Sequence, residues 1–385
     1  MALARLGMLA RFCTDVYVRS RTASRIFEAW GLHSLAGRHH GELPSECVEL
    51  FPSVLVKERI SNRRSVAQAR TWIQRGVRFG EAVAAAGFFD ANVSYAYTSA
   101  ALEIFARARA LGLATMLDHA TAPMVPEMDL VESAARSWPD SFDMPPRPSA
   151  EHEYFERQRN EWSSADTIVC NSSFLRRMIV SAGGPADRCV IVPLGIDARF
   201  LPRPPRAPGG LRVVFVGDDG LRKGLPDFVR ACSLAGIRRS EARVAGAISM
   251  TSSGRARAEA SVELLGRLGR RELARLLGWA DVLVLPSVSD TFGMVVLEAM
   301  ALGCVPITTP NAGAADVIVD GESGFIVPVH APDRIAEILT RLATDTTHLE
   351  GASRAAQLRA RDFDVSRYGE RLAAAAAETL SRRRS

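Results

Sequence analysis

The stretch Asp281–Thr309, DVLVLPSVSDTFGMVVLEAMALGCVPITT, decides the fold of this chain. Val282, Leu283, Val284 and Leu285 form an unbroken apolar run closed by Pro286. Such a run suits a parallel strand covered on both faces. Ser287–Thr291 is polar and reads as a loop. Gly293 then opens an apolar helix rich in Met, Leu and Ala, and Gly303 stops it. Val305–Thr309 follows at once as a second strand. In a βαβ unit of this kind a ligand belongs at the carboxyl end of the strand, facing the helix N-terminus. Asp290 on the loop and Glu298, eight positions on, mark that place. A carboxylate only accepts hydrogen bonds, so it suits a vicinal diol, which offers two donors. The plainer alternative is a solvated helix Glu and an N-terminal Asp favoured by the helix dipole.

An acid, then Phe292-Gly293, then Glu298 resembles the Glu-x7-Glu motif of the retaining GT-B glycosyltransferases of family 4. The resemblance implies an α/β fold of GT-B type: two facing Rossmann-like doubly wound parallel-sheet domains with an interdomain cleft. It implies that the first acid lies near the donor sugar and the second holds the ribose hydroxyls. The family has Glu first; this chain has Asp290, one methylene shorter.

The rest of the chain bounds these readings. With 385 residues, two domains are expected. The apolar share of 47% and charged share of 24% are those of an ordinary globular protein. A net charge of +5 points to an anionic partner. No nucleic-acid motif or basic–aromatic stripe accompanies it, so nucleic acid is not the expected partner. Six cysteines without a CxxC pair read as reduced and buried, in a cytoplasmic protein. Seven histidines, His39 and His40 among them, show no metal-ligand spacing, so no metal and no cofactor are expected. No apolar run reaches the roughly 18–20 residues of a membrane span. The Arg-rich N-terminus reads as part of the fold rather than as a transit peptide.

In the first half, strands are expected at Thr14–Val18, Asn92–Thr98, Ala114–Leu117, Thr167–Cys170 and Cys189–Pro193. Helices alternate with them at Ser61–Ala86, Ala100–Leu111, Glu127–Trp138, Glu151–Ser164 and Ser173–Ala182. That alternation argues a parallel doubly wound sheet. Family members usually begin with a strand and a Gly-rich turn; here the chain opens with what looks like the helix after that turn. His119 in LDHATAP resembles the family histidine that lines the cleft beside donor sugar and acceptor. The alternative is a strand-end histidine satisfied by backbone. Arg63, Arg64, Arg70, Arg75 and Arg78 give the 61–86 helix a basic face, with Lys57 and Arg59 just before it. That face reads as solvated, or as a contact with an anionic membrane. The ADTIVCNS run within Glu156–Phe174 resembles a family segment of structural role.

Leu194-Gly195-Ile196-Asp197 resembles the family hinge, and Pro202–Gly210 is a linker by composition. Residues 1–195 then form an acceptor-side domain, 196–365 a nucleotide-sugar-binding domain, and 366–385 a helix crossing back to the first. Leu211–Gly217 and the loop DDGLRK, Asp218–Lys223, resemble the donor-diphosphate site. Arg222 and Lys223 would donate to phosphate oxygens; the family often has Arg where this chain has Asp218. Strands are expected at Ala242–Ile248 and Val262–Leu265, and a helix from Arg271 to Trp279. Gly266-Arg267-Leu268 would face the nucleotide base, and Thr291, Phe292 and Gly293 the sugar nucleotide. PNAGAA, Pro310–Ala315, takes the place of the family's Gly-Gly loop, and Asp316 that of its Glu.

The resemblance implies a metal-independent hexosyltransferase that retains anomeric configuration, with a nucleotide-diphosphate sugar as donor and a glycan or lipid-linked acceptor. The setting implied is cell-surface glycan or glycolipid synthesis. His119 and Asp290 would stand at the reacting centre, and the leaving phosphate oxygen would take the acceptor proton. Epimerisation and phosphorolysis on the same fold are less favoured by Phe-Gly-x4-Glu. The Asp218 and Asp290 departures keep a scaffold that binds without turnover as the alternative.

Overall fold

Continuous apolar runs make the buried strands of two parallel sheets, one in each half of the chain. The computed structural model describes residues 2–18, 20, 22, 23, 25, 38, 43–52, 68–144, 146–197 and 209–384. His39, His40, Lys57, Arg59, Arg63, Arg64, the start of the 61–86 helix and the 202–208 part of the linker lie outside them.

A short helix α1 (Ala2–Arg5) precedes β1 (Phe12–Thr14), which pairs in parallel with β2 (Val48–Leu50). The strand sits two residues earlier than expected at Thr14–Val18. Beyond Thr14 the chain leaves the ladder because the Asp15 carboxylate takes over. It accepts from the Val16 N–H at 2.8 Å, from Arg38 at 2.8 Å and from Arg75 at 2.7 Å. Helix α2 (Gln68–Ala86) leads to the main sheet of this half. On its basic face Arg75 is therefore engaged by Asp15, and Arg70 lies 3.9 Å from Glu153.

The main sheet has four strands in sequential order: β3 (Val93–Tyr97), β4 (Ala114–His119), β5 (Thr167–Cys170) and β6 (Cys189–Ile191). The connecting helices are α3 (Ala101–Ala110), α4 (Met124–Ser137), α5 (Glu151–Ser164) and α6 (Ser173–Ser181). Every residue of β4 and β5 is buried, as expected for interior parallel strands.

The second sheet has six parallel strands in the order β12-β11-β10-β7-β8-β9. They are β7 (Val213–Val216), β8 (Ala242–Ala245), β9 (Glu263–Gly266), β10 (Val282–Leu285), β11 (Val305–Thr308) and β12 (Phe325–Ile326). Helices α7 (Leu225–Leu234), α8 (Ser252–Ser261), α9 (Arg270–Trp279) and α10 (Met294–Ala301) connect them, and α11 (Pro332–Thr344) and α12 (Thr346–Ala360) follow. Helix α8 was not anticipated. Its sequence, SSGRARAEAS, has only Gly254 and Ala258 buried, so it carries little apolar periodicity. Its start is set by the Thr251 hydroxyl, which accepts from the Gly254 N–H.

Successive strands β7, β8 and β9 run one way across the second sheet, and β10, β11 and β12 run the other. The reversal falls between the neighbours β7 and β10. Connections leave that point on opposite faces and open a crevice outside the two strands' carboxyl ends.

At the crossover, Ile196 donates to the Phe363 carbonyl at 2.9 Å and receives from Val365 at 3.0 Å. A Cβ on Gly195 would stand 2.7 Å from the Asp364 carbonyl oxygen, so a side chain would push these two segments apart. The last helix α13 (Val365–Arg384) returns to the first sheet. Leu372 and Ala375 pack with Met116 and Val169, and the Thr379 and Thr167 hydroxyls meet at 2.8 Å. Among the described residues no helix is long and apolar enough to cross a membrane.

Candidate functional site

The crevice between β7 and β10 is built by two loops pressed together. Gly224 has φ +80°, and a Cβ there would lie 2.1 Å from the Pro286 carbonyl oxygen. Val288 donates to the Arg222 carbonyl at 2.8 Å. These contacts bring the Lys223 ammonium onto the Asp290 carboxylate as an ion pair, with both side chains largely buried. Burial pushes the Lys223 pKa below the usual lysine range; Asp290 pulls it back up and Arg222 pushes it further down.

Asp290 is fixed from its own backbone. Its N–H donates to the Asn311 carbonyl at 2.9 Å, and its carbonyl accepts from Gly313 at 2.8 Å. Gly293 caps α10 with φ +84°, a left-handed conformation in which a side chain is strained. A Cβ on it would stand 3.0 Å from the Asp290 carboxylate. The carboxylate therefore lies at the N-terminus of α10, where the free N–H groups point.

A cavity of about 580 Å³ opens here between the two halves. The second half contributes Gly217, Asp218, Lys223, Arg267, Leu268, Asp290 and the run from Thr291 to Val295, together with Val216, Ala245, Gly246 and Leu273. The first half contributes Ala120, Asn171 and Leu194. Of the expected residues, Lys223, Arg267, Leu268, Asp290, Thr291, Phe292 and Gly293 come together on this wall. Gly266 stands just behind it with φ +70°, its carbonyl accepting from the Gly246 N–H at 2.9 Å.

Three expected residues are placed elsewhere. The Arg222 side chain, expected beside Lys223 on phosphate, does not line the cavity. It donates to the Ser289 carbonyl at 2.8 Å and to Asp219 at 3.0 Å, and lies 3.8 Å from Glu127 of the first half. Three acceptors on one side outbid the open crevice. Glu298 sits a turn inside α10, half-buried and off the cavity wall. Burial raises its pKa and nearby Arg270 lowers it. His119, expected in the cleft, ends β4 fully buried against Trp162, with ring centroids 5.6 Å apart. Its Nδ1–H donates to the Thr121 carbonyl at 2.7 Å, and burial pushes its pKa down to about 4. The neutral ring packs towards α5, and the next residue, Ala120, reaches the cavity instead.

The loop carrying Asp290 is held from across the cleft. Ser172 donates to the Thr291 carbonyl at 2.5 Å, and the Thr291 hydroxyl donates to the Ala120 carbonyl at 2.9 Å. The Ser289 hydroxyl donates to Glu127 at 2.8 Å. Asp316 accepts from the Ser173 N–H at 2.6 Å and from its hydroxyl at 2.5 Å. Asp218, in the place of a family cation, accepts from the Ala247 N–H at 2.9 Å and from Arg267 at 2.5 Å. Its carboxyl is held below the usual range, by Ala247 first and Arg267 second.

The sequence reading missed Asn171, which lies in the ADTIVCNS run taken as structural. The end of a buried strand just before a Ser N-cap was the available signal. Among the described residues no cluster of His, Cys, Asp and Glu has the form of a metal site.

Residues 210–345 match the family model described as glycosyl transferases group 1. A D-inositol 3-phosphate glycosyltransferase of Kribbella flavida is 29% identical over 360 residues, covering 83% of this chain and 80% of its own. Among solved structures, HepE of Anabaena in complex with UDP-glucose aligns with a TM-score of 0.58 at 16% identity, over 96% of this chain and 98% of its own. Sucrose-phosphate synthase of Thermosynechococcus elongatus aligns with a TM-score of 0.60 at 16% identity, over 81% and 80%. The fold is GT-B.

Proposed function

We propose that the chain is a glycosyltransferase of the group whose family model matches residues 210–345, and that it moves a hexose-type sugar, with retained configuration, from a nucleotide-diphosphate sugar to an acceptor hydroxyl. The observation that carries this is the meeting of Lys223 and Asp290 at the N-terminus of α10, inside a cavity walled by both halves. A diphosphate placed there meets a helix N-terminus and an ammonium, both of which favour anionic oxygens. Asp290 is then free to accept from sugar hydroxyls. The loop Gly266–Leu268 takes the base side, and the ribose diol goes to Glu298 only if that side chain, off the cavity wall, turns towards the donor. The reaction breaks the bond from the anomeric carbon to the phosphate oxygen and forms one to the acceptor oxygen. The departing phosphate oxygen takes the acceptor's proton, so the balance closes without a protein base. Donors preorganised at the leaving group act where negative charge develops.

The domains proposed are 1–195 for the acceptor, 196–365 for the donor, and 366–385 as the returning helix. The acceptor proposed is a glycan or lipid-linked glycan of the cell surface. Contact with an anionic membrane draws support from the arginines of α2 alone.

A second reading, binding without turnover, is favoured by the charge balance on the wall: Lys223 and Arg267 face Asp290 and Asp218. The test is a panel of UDP-, GDP- and ADP-glucose. Transfer or hydrolysis with nucleotide release supports the enzyme; binding without release supports the second reading. Glu298→Ala should weaken the preferred nucleotide at least tenfold. Equal binding by wild type and Glu298→Ala would remove the ribose contact from Glu298, and equal binding of every nucleotide by wild type and Lys223→Met would remove the donor site from this crevice. The anomeric proton of the product reports retention.

A further inference from the structure

We propose that Asn171 is the residue through which the first half of the chain orients the acceptor hydroxyl over the donor sugar. The proposal rests on the donor reading above. The cavity wall from this half consists, among the described residues, of Ala120, Leu194 and Asn171. The first two side chains are apolar, so Asn171 carries that wall's polar chemistry.

Asn171 is 5% exposed, and its Oδ1 is buried without a hydrogen-bond partner. An unsatisfied buried acceptor costs about 1–3 kcal/mol, so such atoms are few in folded proteins and call for a reason. A ligand hydroxyl supplies one once the carboxamide turns its oxygen towards the cavity. A carboxamide offers an acceptor at one end and two donors at the other, and a hydroxyl both donates and accepts. Phosphate oxygens only accept and would leave Oδ1 as it stands.

The residue is also held still. Cys170 before it is fully buried at the end of β5. Ser172 after it caps α6, accepting from the Leu175 N–H at 3.1 Å and donating across the cleft to the Thr291 carbonyl at 2.5 Å. Thr291 follows Asp290, so Asn171 faces the loop that carries the expected sugar contact. A hydroxyl held by Asn171 is held by the half of the chain that does not carry α10. That is the side from which an acceptor must approach a donor whose diphosphate lies on α10.

The experiment uses the full chain with the donor that wild type prefers. The acceptors are D-inositol 3-phosphate, glucose and monoglucosyl diacylglycerol in micelles. Asn171→Ala is expected to keep nucleotide affinity within twofold and to raise the acceptor KM at least tenfold. It should also send a larger share of donor to hydrolysis by water. Asn171→Asp keeps an acceptor oxygen and should recover part of the transfer. Unchanged acceptor KM and unchanged hydrolysis share in Asn171→Ala overturn the proposal. So does loss of nucleotide affinity in step with transfer, which would mark a donor or purely structural role. Wild type that releases no nucleotide removes the transfer reading itself and this proposal with it; wild type that hydrolyses the donor but transfers to none of the three acceptors removes this proposal alone.

Discussion

Lys223 is neutralised by Asp290, which makes the effects of removing each partner opposite in sign. Lys223→Met deletes a charge-assisted donor to phosphate, each worth about 1.5–3 kcal/mol. Nucleoside diphosphate affinity should fall by roughly 10–100-fold, at about 1.4 kcal/mol per factor of ten. Asp290→Asn frees the ammonium and deletes a negative charge facing the diphosphate. Two like charges about 8 Å apart at an effective dielectric near 20 repel by about 2 kcal/mol. Affinity should therefore rise about thirtyfold, while transfer falls because the sugar loses an anionic acceptor. Asp290 also raises the Lys223 pKa against burial and Arg222. Without it Lys223 loses its proton at lower pH, so the gain in affinity should fade with rising pH sooner than wild-type binding does. Calorimetry with UDP, GDP and ADP at several pH values, beside a nucleotide-release assay, measures both effects. Thermal denaturation controls for folding, since Lys223→Met leaves a buried carboxylate unpaired, and breaking buried pairs is costly. If Asp290→Asn weakens the preferred nucleotide as much as Lys223→Met does, the carboxylate is not competing with phosphate for Lys223 and the reasoning fails.

His119, with its pKa pushed down from 6.5 to about 4 by burial, refuses a proton that the unfolded chain takes up. Its contribution to stability is lost as pH falls through that window, by about 2 kcal/mol at pH 5. Asp118, pushed up to about 6 by burial, acts the other way, since the folded state holds its proton more firmly. Urea denaturation of wild type and His119→Gln at pH 7.5 and 5 isolates the histidine; a stability difference between the two proteins that stays constant with pH would refute it. Gly224→Ala should destabilise by more than about 2 kcal/mol, because φ is +80° and its Cβ would lie 2.1 Å from a carbonyl. Gly236→Ala, at φ +66° with open space around the Cβ, should cost only about 1 kcal/mol. Equal melting temperatures for the two variants would show that the Gly224–Pro286 contact does not hold the loops together.

What was legible in the sequence was what local pattern carries. Val282–Leu285 is apolar at every position because both faces of β10 are covered. Gly293 and Gly303 bound α10 because both adopt positive φ. Asp290 and the residues up to Gly293 consequently fell at the strand–helix junction, as read. What was not legible depends on which surfaces meet. The Arg222 side chain turns to Ser289, Asp219 and Glu127, and Glu127 belongs to the other half of the chain. His119 is buried by Trp162 of α5, forty-three positions away. Asn171 becomes a wall residue only because the second half closes over the end of β5.

The Lys223–Asp290 pair shows where chain order and physical cause part. A single βαβ unit explains a ligand at the carboxyl end of β10, but it says nothing of the loop after β7, more than sixty residues earlier. Those two loops touch because the sheet reverses direction between β7 and β10, which leaves no crossing connection over the crevice. Had β8 stood beside β10, the loop near Gly246 would face Asp290, and Lys223 would lie one strand spacing farther off, about 5 Å. The cation at the proposed diphosphate position is thus a property of strand order as much as of the DDGLRK loop. Moving a lysine into the Gly246 loop of a Lys223→Met chain should accordingly fail to restore nucleotide affinity, and a binding titration that showed restoration would mean the reversal point does not set the site.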